Sequence, residues 1–393
     1  MRIGVGASSA QDYIKAVKEA VEKARANIAN ENIDFALVFS TEKFNHPLVL
    51  QTITGLLGPI PVLGANSRAV ISTVASLKHG LVIILFCLSK NMHFNIAGVD
   101  NITTDSLTAG EILGEKLLRG FTNVRRIFSI IFTNADTLNS QNLILGLQER
   151  VGKSFPLAGG SIINRGEQKN NSLSLNQVAM NDGAWGIIWG EKLNFSIVTK
   201  HGWQPIGKPR QITKASGNTV IEIDNRPAVN LYKEYFAQDT AELENNLERL
   251  RTFYPLGIST GEKKEFLLRS ILSIGPDGSL EFLGDVPEGS MVRLMIGSKE
   301  ACLASTQEAA GATIKNMGRN KIKFAMVLNS LSRFSLLGRM ANQEVKIIKN
   351  ILGDDIPFAG IYTSTEQAPL NTINYLGKTY FHNNSITILA IAE

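Results

Sequence analysis

Three places in the chain set an acid and a base a short way beyond short apolar runs. They are Glu42 with Arg68, Asp136 with Arg165, and Arg333 with Glu366. An arginine fork grips a carboxylate through two N–H bonds, and a carboxylate holds an ammonium. Each pair could therefore bind a zwitterion such as an amino acid. The third place is the most developed. Ser330 and Arg333 leave one apolar run, Thr363 and Glu366 leave another, and Tyr362 supplies a flat wall with a hydroxyl. Asn66, Ser67 and Arg68 form the amino-terminal counterpart. These eight residues are the candidate ligand-binding set. The plain alternative is that polar residues at strand ends are solvated and that Arg333 pairs with a neighbour such as Glu344 or Glu366.

Other chemistry is less well supported. "GISTG", Gly257 to Gly261, matches the pattern around a hydrolase serine, and Asp355 and His382 follow in suitable order. A nucleophile elbow needs a strand before the serine and a helix after it, yet "FLLRSILSI" alternates like a strand. Serine hydrolase is thus a minor alternative. "GLQERVGKS" is one residue too long for a phosphate loop and follows a helix. His46, His79, His93, His201 and His382 show no metal spacing, and Cys87 and Cys302 give neither a metal site nor a disulfide framework. No metal and no resident cofactor is expected. A single histidine would suffice for haem b, which stays as the alternative cofactor.

The elements that must position these residues come in a repeat. "IDFALVFST", "IFSIIFTN" and "IKFAMVLNS" are short apolar runs ending in small polar residues, and they read as buried strands. A helix-period segment follows each. In the first copy Pro47 suits a first helical position and Gly58-Pro59 stops the helix; in the second, Asn139 or Ser140 is the expected cap. Then comes a Pro-x-x-Gly strand: "IPVLGANSR", "FPLAGGSII", "IPFAGIYTS". A further apolar run closes each copy: "GLVIILF", "AWGIIWG", "SITILAI". Strands joined through a helix run parallel, so the polar tails gather at one carboxyl edge, where α/β sheets bind ligands. The fold class is α/β, in the sense of repeated β-α-β-β units making mixed sheets flanked by helices. A turn-rich stretch after Trp189 divides the chain into 1–205 and 206–393. "SAQDYIKAVKEAVEKARANIAN" is an amphipathic helix with Ser9 and Asp12 at capping-box spacing. "RQIT" and "TVIEID" flank a hairpin turn, as do the strands around Pro276-Asp277-Gly278.

The 393 residues are 44% hydrophobic and 19% charged, with a net charge of +5, as in an ordinary globular protein. The basic residues are dispersed, which argues against a nucleic-acid face. The longest apolar run, Leu81 to Leu88, is too short to span a bilayer, and the start lacks a signal-peptide stretch. A soluble, cytoplasmic protein is expected, without a membrane or nucleic-acid partner.

In content and order, "GVGASSAQDYIKAVKEAVEKA", "DFALVFST", "IPVLGANS", "GWQPIGKP", "ASGNTVIEIDNRPAVNLYKEY", "YPLGI", "GSLEFLGDVPEGSMV", "SRFSLLGRMANQEV", "IPFAGIYTSTE" and "HNNSITILAIAE" resemble the FIST family, over nearly the whole chain. The resemblance implies the paired amino- and carboxy-terminal halves of a bacterial and eukaryotic sensory module that binds small ligands, amino acids among the proposals. Such domains feed histidine kinases, cyclic-di-nucleotide enzymes or chemoreceptors. It implies no enzyme, and for some stand-alone members a haem that senses nitric oxide. With no segment left for an output domain, a stand-alone sensor signalling through a separate partner is expected. The sequence departs from the family in places. Ala65 to Val70 stands where the family writes Cys-Ser-Thr-Ala-Gly-Glu, Ser330-Leu331 stands for Ser-Cys, and Thr365-Glu366 for Gly-Glu. The carboxy-terminal site keeps more of the pattern.

Overall fold

A computed structural model describes residues 1–28, 31–90, 92–134, 137–162, 172–261, 265–370 and 379–393. Asp136 and Arg165, the acid and base of the second copy, lie outside them. The fold is α/β with mixed sheets. In each unit the first strand (Phe35–Thr41, Arg126–Asn134, Ile322–Ser330) runs parallel to the second (Val62–Ser67, Leu157–Ser161, Phe358–Thr363). The register is the same each time. The amides of Ala36, Ser129 and Ala325 donate to the carbonyls of Pro61, Pro156 and Pro357 at 2.9, 3.0 and 3.1 Å. The proline of each Pro-x-x-Gly thus opens the second strand while lacking an N–H of its own, and its carbonyl starts the ladder.

The closing apolar runs, Leu81–Cys87, Gly183–Gly190 and Ser385–Ala392, lie antiparallel on the other side of the first strand. Outside them sits a leading strand in each unit: Arg2–Ser8, Phe94–Asp100 and Asn194–His201. Alternation sorts the side chains. Phe35, Leu37 and Phe39, Phe128, Ile130 and Phe132, and Phe324, Met326 and Leu328 all enter one central core that also holds Trp185 and Trp189. The intervening residues pack under helices: Ala36 and Val38 beneath Tyr13–Ala26 and His46–Leu57, Ile131 beneath Ser106–Leu117 and Thr137–Val151, Ala325 and Val327 beneath Lys299–Met317 and Ala341–Leu352. Burial on both faces is why these strands read as unbroken apolar runs.

After its second strand each unit sends out a small excursion that pairs with a different unit. Val70–Ile71 of the first adds to Phe358–Thr363 of the third. Leu173–Leu175 of the second adds to Val62–Ser67 of the first. Thr365–Pro369 of the third adds to Leu157–Ser161 of the second. The exchange is cyclic, and it covers three sheet edges that would otherwise be open.

Between the leading strand Asn194–His201 and the helix Lys299–Met317 the third unit carries an insertion. It is a fourth sheet in the spatial order Phe266–Arg269, Leu256–Ser259, Met291–Gly297, Trp203–Ser216, Thr219–Ile223, Leu280–Phe282, Ile271–Ile274. This sheet has its own core around Tyr232, Leu256 and Phe282. Both expected hairpins are in it, Ser216 facing Thr219 and Ile274 facing Leu280.

Local expectations need two corrections. Asp12, not Ser9, caps the first helix, its carboxylate accepting from the Lys15 amide at 2.8 Å, because Ser9 still follows directly on the leading strand. The second unit's helix starts at Thr137, two residues before Asn139. Gly4 and Gly6 belong to a strand, and a Cβ on either would fall about 2 Å from a carbonyl of the first helix (Ala24 2.1 Å, Ala20 1.9 Å).

Candidate functional site

Arg333 stands on the short helix Leu331–Leu337, which Ser330 caps by accepting from the Ser332 amide at 3.1 Å. That helix turns the arginine under the long helix Lys299–Met317. Its guanidinium is fully buried and donates to Glu344 at 2.5 Å, Ser305 Oγ at 3.0 Å, Thr306 Oγ1 at 2.8 Å and the Cys302 carbonyl at 2.8 Å. Glu344, equally buried, also accepts from Thr306 at 2.9 Å and from Asn329 Nδ2 at 2.8 Å. The arginine therefore has a resident carboxylate inside the protein.

Tyr362 is buried too. Its hydroxyl is 2.7 Å from Ser76 Oγ, and its ring packs on Phe334 at 4.6 Å. Ser67 Oγ donates to the Tyr362 carbonyl at 2.6 Å, and Asn66 Oδ1 accepts from the Ser172 amide at 2.6 Å. The cyclic exchange thus joins the amino-terminal and carboxy-terminal candidates, which stand 295 residues apart. Arg68 alone of the eight is exposed.

Glu366 follows on the third unit's excursion strand. Thr363 Oγ1 donates to it at 2.8 Å, and Ser385 donates through Oγ at 2.7 Å and N at 3.2 Å. Complete burial outweighs these bonds and pushes its carboxyl up to about 8 from 4.5. Between those values the folded chain keeps a proton that the unfolded chain has released, so this group lowers stability as pH rises from 4.5 to 8. Glu366→Gln should abolish that slope. Chemical denaturation at pH 5 and pH 8 checks it: wild type should lose stability relative to the variant over this interval, and parallel curves would refute the assignment. Burial lowers His46, His201 and His382 to about 4, 4 and 3, which gives both proteins the opposite slope below pH 6.5 and cancels in the comparison.

Ser385 also lines a cavity of about 770 Å³, within the usual range for small-molecule sites. His201 pairs with Ser385 across the strands, and Asn329 with Ile386, so the cavity lies at the carboxyl end of the third unit's parallel pair. Its far wall is the inserted sheet, with Trp203, Glu265 and Phe266. The insertion is fastened here by Arg269, which donates to the Phe381 carbonyl at 3.0 Å. The Ser270 amide donates to Asn383 Oδ1 at 2.8 Å. Lys200 faces Glu265 at 3.7 Å. Sequence reasoning missed Lys200, Trp203, Glu265 and Asn383, because three separate segments bring them together.

The corresponding corners of the other units hold polar networks among the described residues. Ser40, His46 and Ser174 form a buried chain in the first, and Ser140, Thr133, Ser161 and Gln367 in the second.

Haem does not fit the cavity's histidines. His201 is hydrogen-bonded to the backbone of both Trp203 and Phe266, and His382 has Nε2 3.0 Å from the Ala368 carbonyl. The His201 ring and the Nε2 of His382 are thus already held by the backbone. Nor is a nucleophile elbow built at Ser259, which ends a strand paired antiparallel with Phe266–Arg269. Among the described residues no cluster of His, Cys, Asp and Glu has metal-binding geometry, and no helix is long and apolar enough to cross a membrane.

The FIST N domain matches residues 34–226, and the FIST C domain residues 228–369. The chain belongs to the FIST family. FIST domains are sensory domains that bind small ligands in signal transduction. An uncharacterized protein of Mycobacterium tuberculosis is 22% identical to this FIST protein over 391 residues, covering 96% of this chain and 97% of its own. An uncharacterized protein of Methanocaldococcus jannaschii is 27% identical over 158 residues, 36% of this chain and 29% of its own. A crystal structure of a chorismatase aligns over 93% of this chain and 95% of that one at 7% identity, with a TM-score of 0.35. A likeness that loose carries no argument about fold or activity.

Proposed function

We propose that this FIST protein is a non-catalytic small-ligand sensor. It binds an amino acid or a similar small polar metabolite and signals through a separate partner, a histidine kinase, a cyclic-di-nucleotide enzyme or a chemoreceptor. The observation that carries this reading is the cavity at the carboxyl end of the third unit's strands. Its floor residue Ser385 is hydrogen-bonded to the buried Glu366, one of the candidate residues. Ser330, Arg333, Tyr362 and Thr363 stand behind that floor and transmit a change at Ser385 to the helix Leu331–Leu337. Asn66 and Ser67 carry it to the first unit. The division into FIST N-like 1–205 and FIST C-like 206–393 halves belongs to the same reading, with the cavity formed where the halves meet.

A thermal-shift panel of the twenty amino acids and small polar metabolites tests this. A ligand at one hundred times its Kd stabilises the chain by about 2.7 kcal/mol and raises Tm accordingly. No stabilisation by any compound at millimolar concentration would overturn the proposal.

A further inference from the structure

Glu366 is fully buried where three strands of the third unit meet. Its Oε1 accepts from Thr363 Oγ1 on the second strand, and its Oε2 accepts from the Ser385 amide and hydroxyl on the closing strand. An acceptor in every bond suits a carboxylate. A neutral carboxyl must also donate one bond, so one of its neighbours then has to turn its own hydrogen elsewhere. Burial favours that neutral form.

Thr363 is the neighbour able to turn. Its hydroxyl has a second acceptor, the Asn329 carbonyl at 3.4 Å, and one hydrogen serves only one acceptor at a time. The Ser385 hydroxyl has no second acceptor among the described residues. The proton therefore sits on Oε1. Glu366 then donates to Thr363 Oγ1, and the Thr363 hydrogen goes to the Asn329 carbonyl. When the proton leaves, that hydrogen returns to the carboxylate. The two Ser385 bonds to Oε2 are the same in both states.

The second acceptor lies at a junction. Asn329 precedes Ser330, which caps the helix Leu331–Leu337, and its side chain donates to Glu344, the partner of Arg333. A bond from Thr363 to the Asn329 carbonyl ties the two parallel strands together just where the chain enters that helix.

The other titratable groups around Glu366 hold their charge near neutral pH. Arg333 is the charge that acts on it, and it stays cationic beside Glu344. His382 lies opposite on the neighbouring strand, and His201 faces Ser385; burial keeps both neutral. Burial also pushes the phenol of Tyr362 up, and on its remaining side Glu366 faces Gly160.

We infer that Glu366 is a proton sensor that moves the Thr363 hydroxyl between its own carboxyl and the Asn329 carbonyl, so that pH sets how firmly the strand end before the Arg333 helix is held. This response is separate from ligand binding and does not require the cavity to be filled.

The test follows the full chain, labelled with ¹³C and ¹⁵N, by NMR from about pH 5 to about pH 10. The Glu366 carboxyl carbon and the Asn329 carbonyl carbon are read in the same samples. In wild type both should move with one midpoint near 8, the Asn329 carbonyl going upfield as it loses its bond from Thr363. Thr363→Val keeps the shape and removes the hydroxyl. The Asn329 signal should then stay still, while Glu366 titrates as an acid about tenfold weaker. In Glu366→Gln the amide donates to Thr363 and its oxygen accepts from Ser385, so the Asn329 signal should hold its low-pH position throughout. Should that variant misfold, the comparison of wild type with Thr363→Val decides alone. An Asn329 carbonyl that stays still in wild type, one that moves equally in Thr363→Val, or a Glu366 midpoint below about 5 overturns the inference. No ligand enters these measurements, so they can fail while the sensory reading stands on its thermal shifts, and the reverse.

Discussion

Arg333→Ala is expected to cost about 3–5 kcal/mol of stability, read as the loss in unfolding free energy in urea. The arginine is fully buried and Glu344 is 1% exposed, so water cannot replace the missing cation. Removing the guanidinium leaves Glu344 with only the Thr306 hydroxyl and the Asn329 amide, and it also strips donors from Ser305 and the Cys302 carbonyl. The size of the loss comes from the stranded charge, not from the net worth of the pair. The double variant Arg333→Met, Glu344→Leu should therefore recover most of the loss, since an apolar pair of similar volume pays no desolvation cost. A single-variant loss below about 1 kcal/mol, or a double variant worse than the single, would contradict this account.

The second large effect lies in the repeated Pro-x-x-Gly phrase. A Cβ on Gly360 would fall 1.7 Å from the Val327 carbonyl oxygen, and one on Gly159 would fall 1.7 Å from that of Ile131. Each oxygen belongs to the residue that faces the glycine on the neighbouring parallel strand. Neither glycine has positive φ, so lack of space and not dihedral freedom selects it. Gly360→Ala and Gly159→Ala should each destabilise by about 3 kcal/mol, the top of the overpacking range, because backbone in a central sheet has little room to move. Gly64→Ala should cost less, since its Cβ would meet the side chains of Ser174 at 2.3 Å and His46 at 2.7 Å, which can rotate. Gly311→Ala, with open space above an exposed helix position, should instead stabilise by about 0.5–1 kcal/mol. Thermal melts of the four variants check the order. Equal melting points for Gly360→Ala and Gly311→Ala would refute it.

The first and second strands of each unit were legible because burial on both faces leaves an unbroken apolar run, and the proline and glycine mark where the second one begins and narrows. The leading strands were not. Arg2–Ser8 is interrupted by glycines that a helix backbone requires, and Phe94–Asp100 is a half-exposed edge strand with a weak apolar signal. At the site, Ser330, Arg333, Thr363 and Glu366 could be placed at one sheet edge from the repeat alone. Burial could not be read locally: it comes from the helix Lys299–Met317, which begins 34 positions ahead of Arg333 and only there encloses it. The cavity was equally hidden, because His201, Glu265 and Asn383 share no sequence period.

The cyclic exchange of excursions also sets the order in which the chain can be completed on the ribosome. The first sheet waits for Leu173–Leu175 before its outer strand is covered, and the second waits for Thr365–Pro369. The third runs the other way, its covering strand Val70–Ile71 having been made long before Phe358–Thr363 emerges. The growing polypeptide thus carries an unpaired Leu157–Ser161 flank through some two hundred residues of elongation. At about 5–20 residues per second that interval lasts roughly ten to forty seconds, during which strand addition by a neighbouring nascent chain competes with the native closure.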